Sequence, residues 1–285
     1  MTAYHAAPLA ESVTVLDRSR VGDPATASFG LTRSVRNDYR DPEYARLALE
    51  ARRLWRELEQ DCGRRLLVDC GCLNLVKGTV TPDLASSYAV ETYAVLEQLQ
   101  LRREAFSGAQ LRDRFPLRPD RPVQSKYFIP PPGSLAMYTE TAMPVFAYLD
   151  IGIYGHPVYE GKTPGVKIGF YNPPDVTRAA SRIGSVEEFV AECIPGLRDA
   201  EVVDVAAASG VDTCWYDLVA DDEFILGAVP GADGLYTGVG WRGTGYKFAP
   251  WVGRILAQLA LQQGTVYDIG RFTPARFVAE GVASS

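Results

Sequence analysis

The stretch that most restricts the fold lies near the end of the chain, Gly234-Leu-Tyr-Thr-Gly-Val-Gly-Trp-Arg-Gly-Thr-Gly-Tyr-Lys-Phe-Ala-Pro-Trp-Val-Gly-Arg-Ile-Leu-Ala-Gln-Leu-Ala-Leu261. Its pattern predicts a strand, a glycine loop and a helix. The apolar run at residues 234–239 suits a short buried strand. Gly238, Gly240, Gly243 and Gly245 then allow positive φ angles and close approach of backbone to a neighbour. Pro250 suits a first helical turn, and Val252, Ile255, Leu256, Leu259 and Ala260 recur at helical spacing. Gly238-x-Gly240-x-x-Gly243 matches the dinucleotide fingerprint letter for letter. It lacks the following strand and an acid about 20 residues on, so the loop is not a phosphate cradle.

The chain before it divides into two kinds of pattern. Residues 3–11 suit the tail of a helix, and Val13-Thr-Val-Leu-Asp17 is a β-branched run that predicts a strand ending in an acid. Asp17 is then either a ribose acid or an exposed aspartate. Thr32-Arg33-Ser-Val-Arg36 places two arginines three apart, able to grip an anion or simply to line a solvated turn. Residues 43–61 form an amphipathic helix, with Leu47, Ala51, Leu54, Trp55 and Leu58 along one side. A strand follows over 66–76, where Cys70 and Cys72 share a face and read as packing residues. Helices are expected at 84–100 and 108–115.

From residue 122 the pattern changes to short antiparallel strands at 122–129, 145–149, 151–154 and 165–171. Lys167 sits inside the last of these, between Val166 and Ile168. A lysine there usually projects to solvent, but on a buried face it gains chemical interest. Ser185-Val-Glu-Glu188 is a capping box for a helix to Cys193. Residues 212–227 predict two strands around an acidic turn, and the tail from 265 to 282 reads as a loop.

Composition narrows the class. At 285 residues and 47% hydrophobic content the chain can build a sizeable core. A net charge of −6 and the lack of a basic, aromatic strip argue against a nucleic-acid partner. No apolar run approaches the ~18 residues of a membrane span, and the N-terminus lacks signal-peptide features. Five cysteines, an odd number, fit a reducing cytoplasm without a disulfide framework. Two histidines leave little for histidine-based metal or triad chemistry, and no metal site is expected.

Taken together, Cys214-Trp-Tyr216, the acidic turn with Asp222-Glu-Phe-Ile-Leu, Gly-Trp-Arg-Gly-Thr-Gly-Tyr-Lys-Phe and Tyr267-Asp-Ile-Gly-Arg-Phe-Thr resemble, in order and spacing, the FAD-dependent amine oxidases of the monomeric sarcosine oxidase and N-methyltryptophan oxidase family. The resemblance also covers residues 13–116 and 122–196. It implies a mixed α/β fold: an incomplete Rossmann-like FAD-binding half (residues 1–65 and 220–285) and an antiparallel-sheet substrate domain (66–219). By position it implies covalent flavin attachment at Cys214, and a substrate carboxylate held by Arg36 and Lys247. It further implies Arg33 beside the flavin, Lys167 promoting oxygen reduction, substrate-pocket tyrosines at Tyr154 and Tyr216, and Asp17 as ribose acid. The loop with Gly240, Gly243, Thr244 and Gly245 would face the flavin ring. The partners implied are a small amine or amino acid and O2, with no nucleic acid and no membrane.

The chain departs from that family at several points. Its histidines are replaced by Tyr171 and Thr244, which bears on substrate identity. The opening strand, Gly-x-Gly-x-x-Gly and helix unit is absent apart from its last turns, and only Pro119, Asp120 and Arg121 span a long central segment. Such a unit needs about 30 residues and binds pyrophosphate. Three readings follow: an oxidase acting on a secondary amine or amino acid, a flavin-free protein that binds an amino-acid carboxylate, or a truncated product. Exposed sheet edges would favour self-association.

Overall fold

The computed structural model describes every residue except 25, 77–86, 115–125, 171–184, 206–215 and 279–285. In chain order its elements are α1 (Thr2–Ala6), α2 (Pro42–Cys62), β1 (Cys72–Asn74), α3 (Tyr88–Gln98), α4 (Gly108–Arg114), β2 (Lys126–Ile129), β3 (Val145–Tyr148), β4 (Ile153–His156), β5 (Val166–Phe170), α5 (Val186–Cys193), β6 (Glu201–Asp204), β7 (Ile225–Ala228), β8 (Tyr236–Val239) and α6 (Ala249–Ala260). They fall into two compact units. The first comprises Met1–Phe29, Leu47–Leu66 and Thr213–Ser285; the second comprises Gly30–Arg46 and Leu67–Asp212.

The second unit is built on a six-stranded mixed sheet, ordered β1-β3-β4-β5-β2-β6, in which only β1 and β3 run parallel. Alternation along the strands gives it two unlike faces. Phe128, Phe146, Ile153, Val166 and Ile168 point to one side, where they bury against Phe189, Val190 and Cys193 of α5. The rings of Phe146 and Phe189 stack at 6.1 Å. Gly155 belongs on this face because a Cβ would overlap the Phe146 ring, its cross-strand partner. Helix α5 starts as its sequence predicts, with Ser185 Oγ accepting from Glu188 N at 3.2 Å. The opposite face carries Tyr127, Tyr154, His156, Lys167 and Asn74, and it holds the candidate site.

In the first unit β7 and β8 form an antiparallel pair beside α6. An aromatic cluster fills the interior: the Phe224 ring lies 5.1 Å from Trp241, 5.3 Å from Phe248 and 6.0 Å from Phe272. Gly253 lets the chain start cross α6, since a Cβ there would come within 2.5 Å of Met1. The tail is not a plain loop. It makes two 3-10 turns, Gly270–Phe272 and Pro274–Phe277, which are tied down by Arg271 to Glu223 and by Arg276 to Asp221.

Four expectations change here. Residues 13–17 form no strand, and Val15 and Leu16 are 70% and 91% exposed. A β-branched run still needs a neighbouring strand to take up its backbone groups, and no described strand pairs with it. The strand expected at 66–76 shrinks to Cys72–Asn74 because Gly71 adopts φ +78°. Cys70 therefore leaves the strand, while Cys72 stays on it, exposed as a residue although burial pushes its thiol pKa up. Residues 216–219 are not in a strand either, and residues 212–215 lie outside the described part.

Candidate functional site

On the polar face of the six-stranded sheet, Tyr127, Lys167 and His156 sit opposite one another on β2, β5 and β4. Lys167 is only 9% exposed. Among the described residues its Nζ makes no hydrogen bond or ion pair, and it lies 5.8 Å from the centre of the Tyr154 ring. His156 is 3% exposed. Its Nε2 is 2.8 Å from Ser34 Oγ, while its buried Nδ1 has no partner among the described residues. Burial first, then the charges of Lys167 and Arg33, push the His156 pKa down to about 3. The ring is thus neutral at physiological pH, with one N–H and one lone pair. Tyr127 is pushed up to about 12, chiefly by burial and then by Tyr154.

Across this face runs an irregular segment, residues 32–38. The two arginines do not grip together. Arg33 Nη1 donates to its neighbour Thr32 O at 3.0 Å, and its guanidinium folds over Gly30, where a Cβ would overlap it. Arg36 turns to Asp38. Its Nη1 donates to Asp38 O at 2.6 Å, Asp38 Oδ2 at 2.8 Å and Tyr88 OH at 2.8 Å. Asn74 Nδ2 donates to the same Asp38 Oδ2 at 2.7 Å, and Tyr88 OH donates to Asp38 O at 2.7 Å. Burial opposes the Arg36 charge, but Asp38 and the phenols of Tyr88 and Tyr39 hold its pKa well above the ordinary value. Asp38 Oδ1 and Asn74 Oδ1 remain buried without a partner among the described residues.

The glycine loop belongs to the first unit. Only Gly240 and Gly243 of the four glycines take positive φ, +81° and +71°. Gly240 N donates to Asp217 Oδ2 at 2.6 Å, and Arg242 N donates to Asp217 O at 3.1 Å. A Cβ on Gly243 would lie 2.5 Å from the Tyr216 ring, and one on Gly245 would lie 2.6 Å from Trp241. The room left by these glycines is therefore filled by the chain's own side chains. Thr244 Oγ1 closes the turn on Trp241 O at 2.9 Å. Lys247 is 7% exposed, and its Nζ donates to Thr244 O at 3.2 Å. Its carbonyl accepts from Trp55 Nε1 at 2.9 Å, and Trp55 stacks on Tyr246.

Of the residues expected at the site, the second unit collects Arg33, Arg36, Tyr154 and Lys167, and the first unit holds Asp17, Tyr216, Gly240, Gly243, Thr244, Gly245 and Lys247. Asp17 Oδ1 caps its own turn at Ser19 N, 3.0 Å away. Cys214 and Tyr171 lie outside the described residues. The sequence reading missed Ser34, Asp38, Asn74, Tyr88, Tyr127 and His156. His156 was within reach, because it stands two residues from Tyr154 on the same strand face.

A model of the family described as FAD dependent oxidoreductase matches residues 1–135 and 118–259. The chain belongs to that family. Among its relatives are peroxisomal sarcosine oxidase of Homo sapiens, 31% identical over 166 residues (53% of this chain, 40% of the relative), and monomeric sarcosine oxidase of Streptomyces avermitilis, 28% identical over 168 residues (55% and 42%). The chain thus spans less than half the length of these two relatives. Among solved structures, a variant of NikD, an unusual amino acid oxidase, has a TM-score of 0.68 at 19% identity, covering 96% of this chain and 93% of that one. That likeness is one of fold.

Proposed function

We propose that the chain is an FAD-dependent amine oxidase that oxidises the C–N bond of a secondary amine or amino acid, with O2 as acceptor. The observation that carries this reading is Lys167, a buried cation with no described ion pair, on one face with Tyr154 and His156. FAD, when bound, supplies the two-electron acceptor that takes a hydride equivalent from the substrate and passes the electrons to oxygen, giving an imine and peroxide. The residues suit the ring end of this cofactor: an unpaired positive charge favours electron transfer to oxygen. The glycine loop supplies no cradle for its phosphates, since Tyr216 and Trp241 fill the room beside Gly243 and Gly245.

In this reading Arg36 and Lys247 bind the substrate carboxylate, and Arg33 lies beside the ring. Tyr154 and Tyr216 line the substrate pocket. Cys214 attaches the flavin, Asp17 holds its ribose, and Gly240, Gly243, Thr244 and Gly245 face its ring. Residues 1–65 with 220–285 form the remnant flavin-binding half, residues 66–219 form the substrate half, and the protein works in the cytoplasm. A second reading, a flavin-free carboxylate binder, draws support from the unpaired run at 13–16 and the filled glycine loop.

The test is colour. Purified protein with flavin absorbance that survives acid precipitation, and loses that resistance in Cys214→Ser, supports the oxidase. A colourless protein that takes up no added FAD overturns it, and a melting shift with an amino acid that Arg36→Ala abolishes would then favour the second reading.

A further inference from the structure

Among the described residues, residues 34–38 make no hydrogen bond between their own backbone groups and those of the rest of the chain. Side chains alone therefore set where this segment lies, which is unusual for a stretch that is mostly half-buried. One anchor is the cluster around Asp38, joining Arg36, Asn74 of β1 and Tyr88 of α3. The other is the 2.8 Å contact between Ser34 Oγ and His156 Nε2, which links residues 122 apart in the chain.

We propose that His156 is a positioning residue that pins the 32–38 segment to β4 through Ser34 and so sets where Arg33 and Arg36 stand. The part of this that concerns a substrate carboxylate rests on the oxidase reading; the tether itself does not. Geometry favours the role. His156 is held on a strand, in register with Lys167 on one side and against the Tyr154 ring at 5.7 Å. Its imidazole cannot swing without moving buried neighbours, so a hydroxyl bonded to it is fixed as well. Burial, and after it the charges of Lys167 and Arg33, keep the ring neutral, so the contact does not switch as pH varies around neutrality.

Three substitutions separate the tether from mere packing: Ser34→Ala, His156→Phe and His156→Gln, whose amide can still reach Ser34. Limited trypsin digestion, followed by mass spectrometry, reads cleavage after Arg33 and Arg36, with cleavage after Arg52 and Arg53 of α2 as the control for global unfolding. Ser34→Ala and His156→Phe are expected to speed cleavage after Arg33 and Arg36 on the order of tenfold, the scale of one lost hydrogen bond, and His156→Gln to restore it. Because the chain has two histidines, ¹⁵N-histidine spectra should show the ring signals of one of them moving in Ser34→Ala and the other staying. In FAD-loaded protein the same variants should raise KM for a carboxylate amine more than they lower kcat. Unchanged cleavage and unmoved ring signals in Ser34→Ala, or His156→Gln behaving like His156→Phe, would overturn the tether whether or not the protein binds flavin.

Discussion

The neutrality of His156 makes a quantitative prediction for stability against pH. In the folded chain its pKa falls from 6.5 to about 3, through burial and then through Lys167 on β5 and Arg33 on the facing segment. Among the described residues, Tyr154 and Ser34 also contact the ring. Between those two values the unfolded chain binds a proton that the native site refuses. Stability from this residue is therefore fully present above pH 6.5 and is lost as pH falls toward 3. The slope inside that window is about 1.4 kcal/mol per pH unit, which amounts to roughly 2 kcal/mol between about pH 7 and about pH 5. His156→Gln removes the titration while leaving a neutral partner for Ser34. Urea unfolding at the two pH values should show the parent losing roughly 2 kcal/mol more than the variant. His5 is common to both proteins and cancels. Parallel losses, or an imidazole that titrates near its ordinary pKa in the native spectra, would refute the burial argument.

Other substitutions test other parts of the structure. Gly243→Ala should cost about 2 kcal/mol or more, since it combines φ +71° with a Cβ placed 2.5 Å from the Tyr216 ring; a melting temperature unchanged from the parent would contradict that loop geometry. Asp38→Ala leaves the Arg36 guanidinium, whose side chain is 14% exposed, without its counter-ion, and should cost about 3–5 kcal/mol in denaturant unfolding. A loss under about 1 kcal/mol would mean that Arg36 finds another acceptor. Gly155→Ala should destabilise by about 1–3 kcal/mol, because its methyl would overlap Phe146; full stability would show that this core can give way.

The parts of the fold visible in the sequence are those set by local periodicity. Helix α2 runs over Pro42–Cys62, one residue beyond each end of the expected span, because Leu47, Ala51, Leu54 and Leu58 repeat at the helical period over about three turns. Strands β3, β4 and β5 also appear close to where alternation puts them. Residues 13–17 have the composition of a strand and are not one, because pairing is a non-local requirement. Lys167 was legible as a polar residue between two core residues. The same alternation marks its cross-strand neighbour His156. Asp38 could not be read at all: its partners Asn74 and Tyr88 are 36 and 50 residues away, and only the folded sheet brings them together.

In the oxidase reading proposed above, the Arg36–Asp38 pair bears on how a substrate carboxylate is held. An arginine bonded around its whole rim would serve structure alone. Here all three of its hydrogen bonds among the described residues use Nη1, and Nη2 and Nε have no partner among them. A guanidinium held at one edge presents its remaining donors in a fixed plane, which is the geometry that a carboxylate takes up in a two-point contact. Asp38 also cancels the charge of Arg36, so the pair contributes direction and little net attraction. The net positive charge of the face then falls to groups such as Lys167, which is buried and has no ion pair among the described residues. Direction from Arg36 and positive charge from Lys167 are separate properties, the first suited to a carboxylate and the second, in the oxidase reading, to oxygen reduction. In the proposed oxidase a substrate carboxylate should therefore lose its orientation and raise KM when Arg36 becomes lysine, whereas Lys167→Met should leave KM unchanged and slow reoxidation by O2 in stopped-flow measurements.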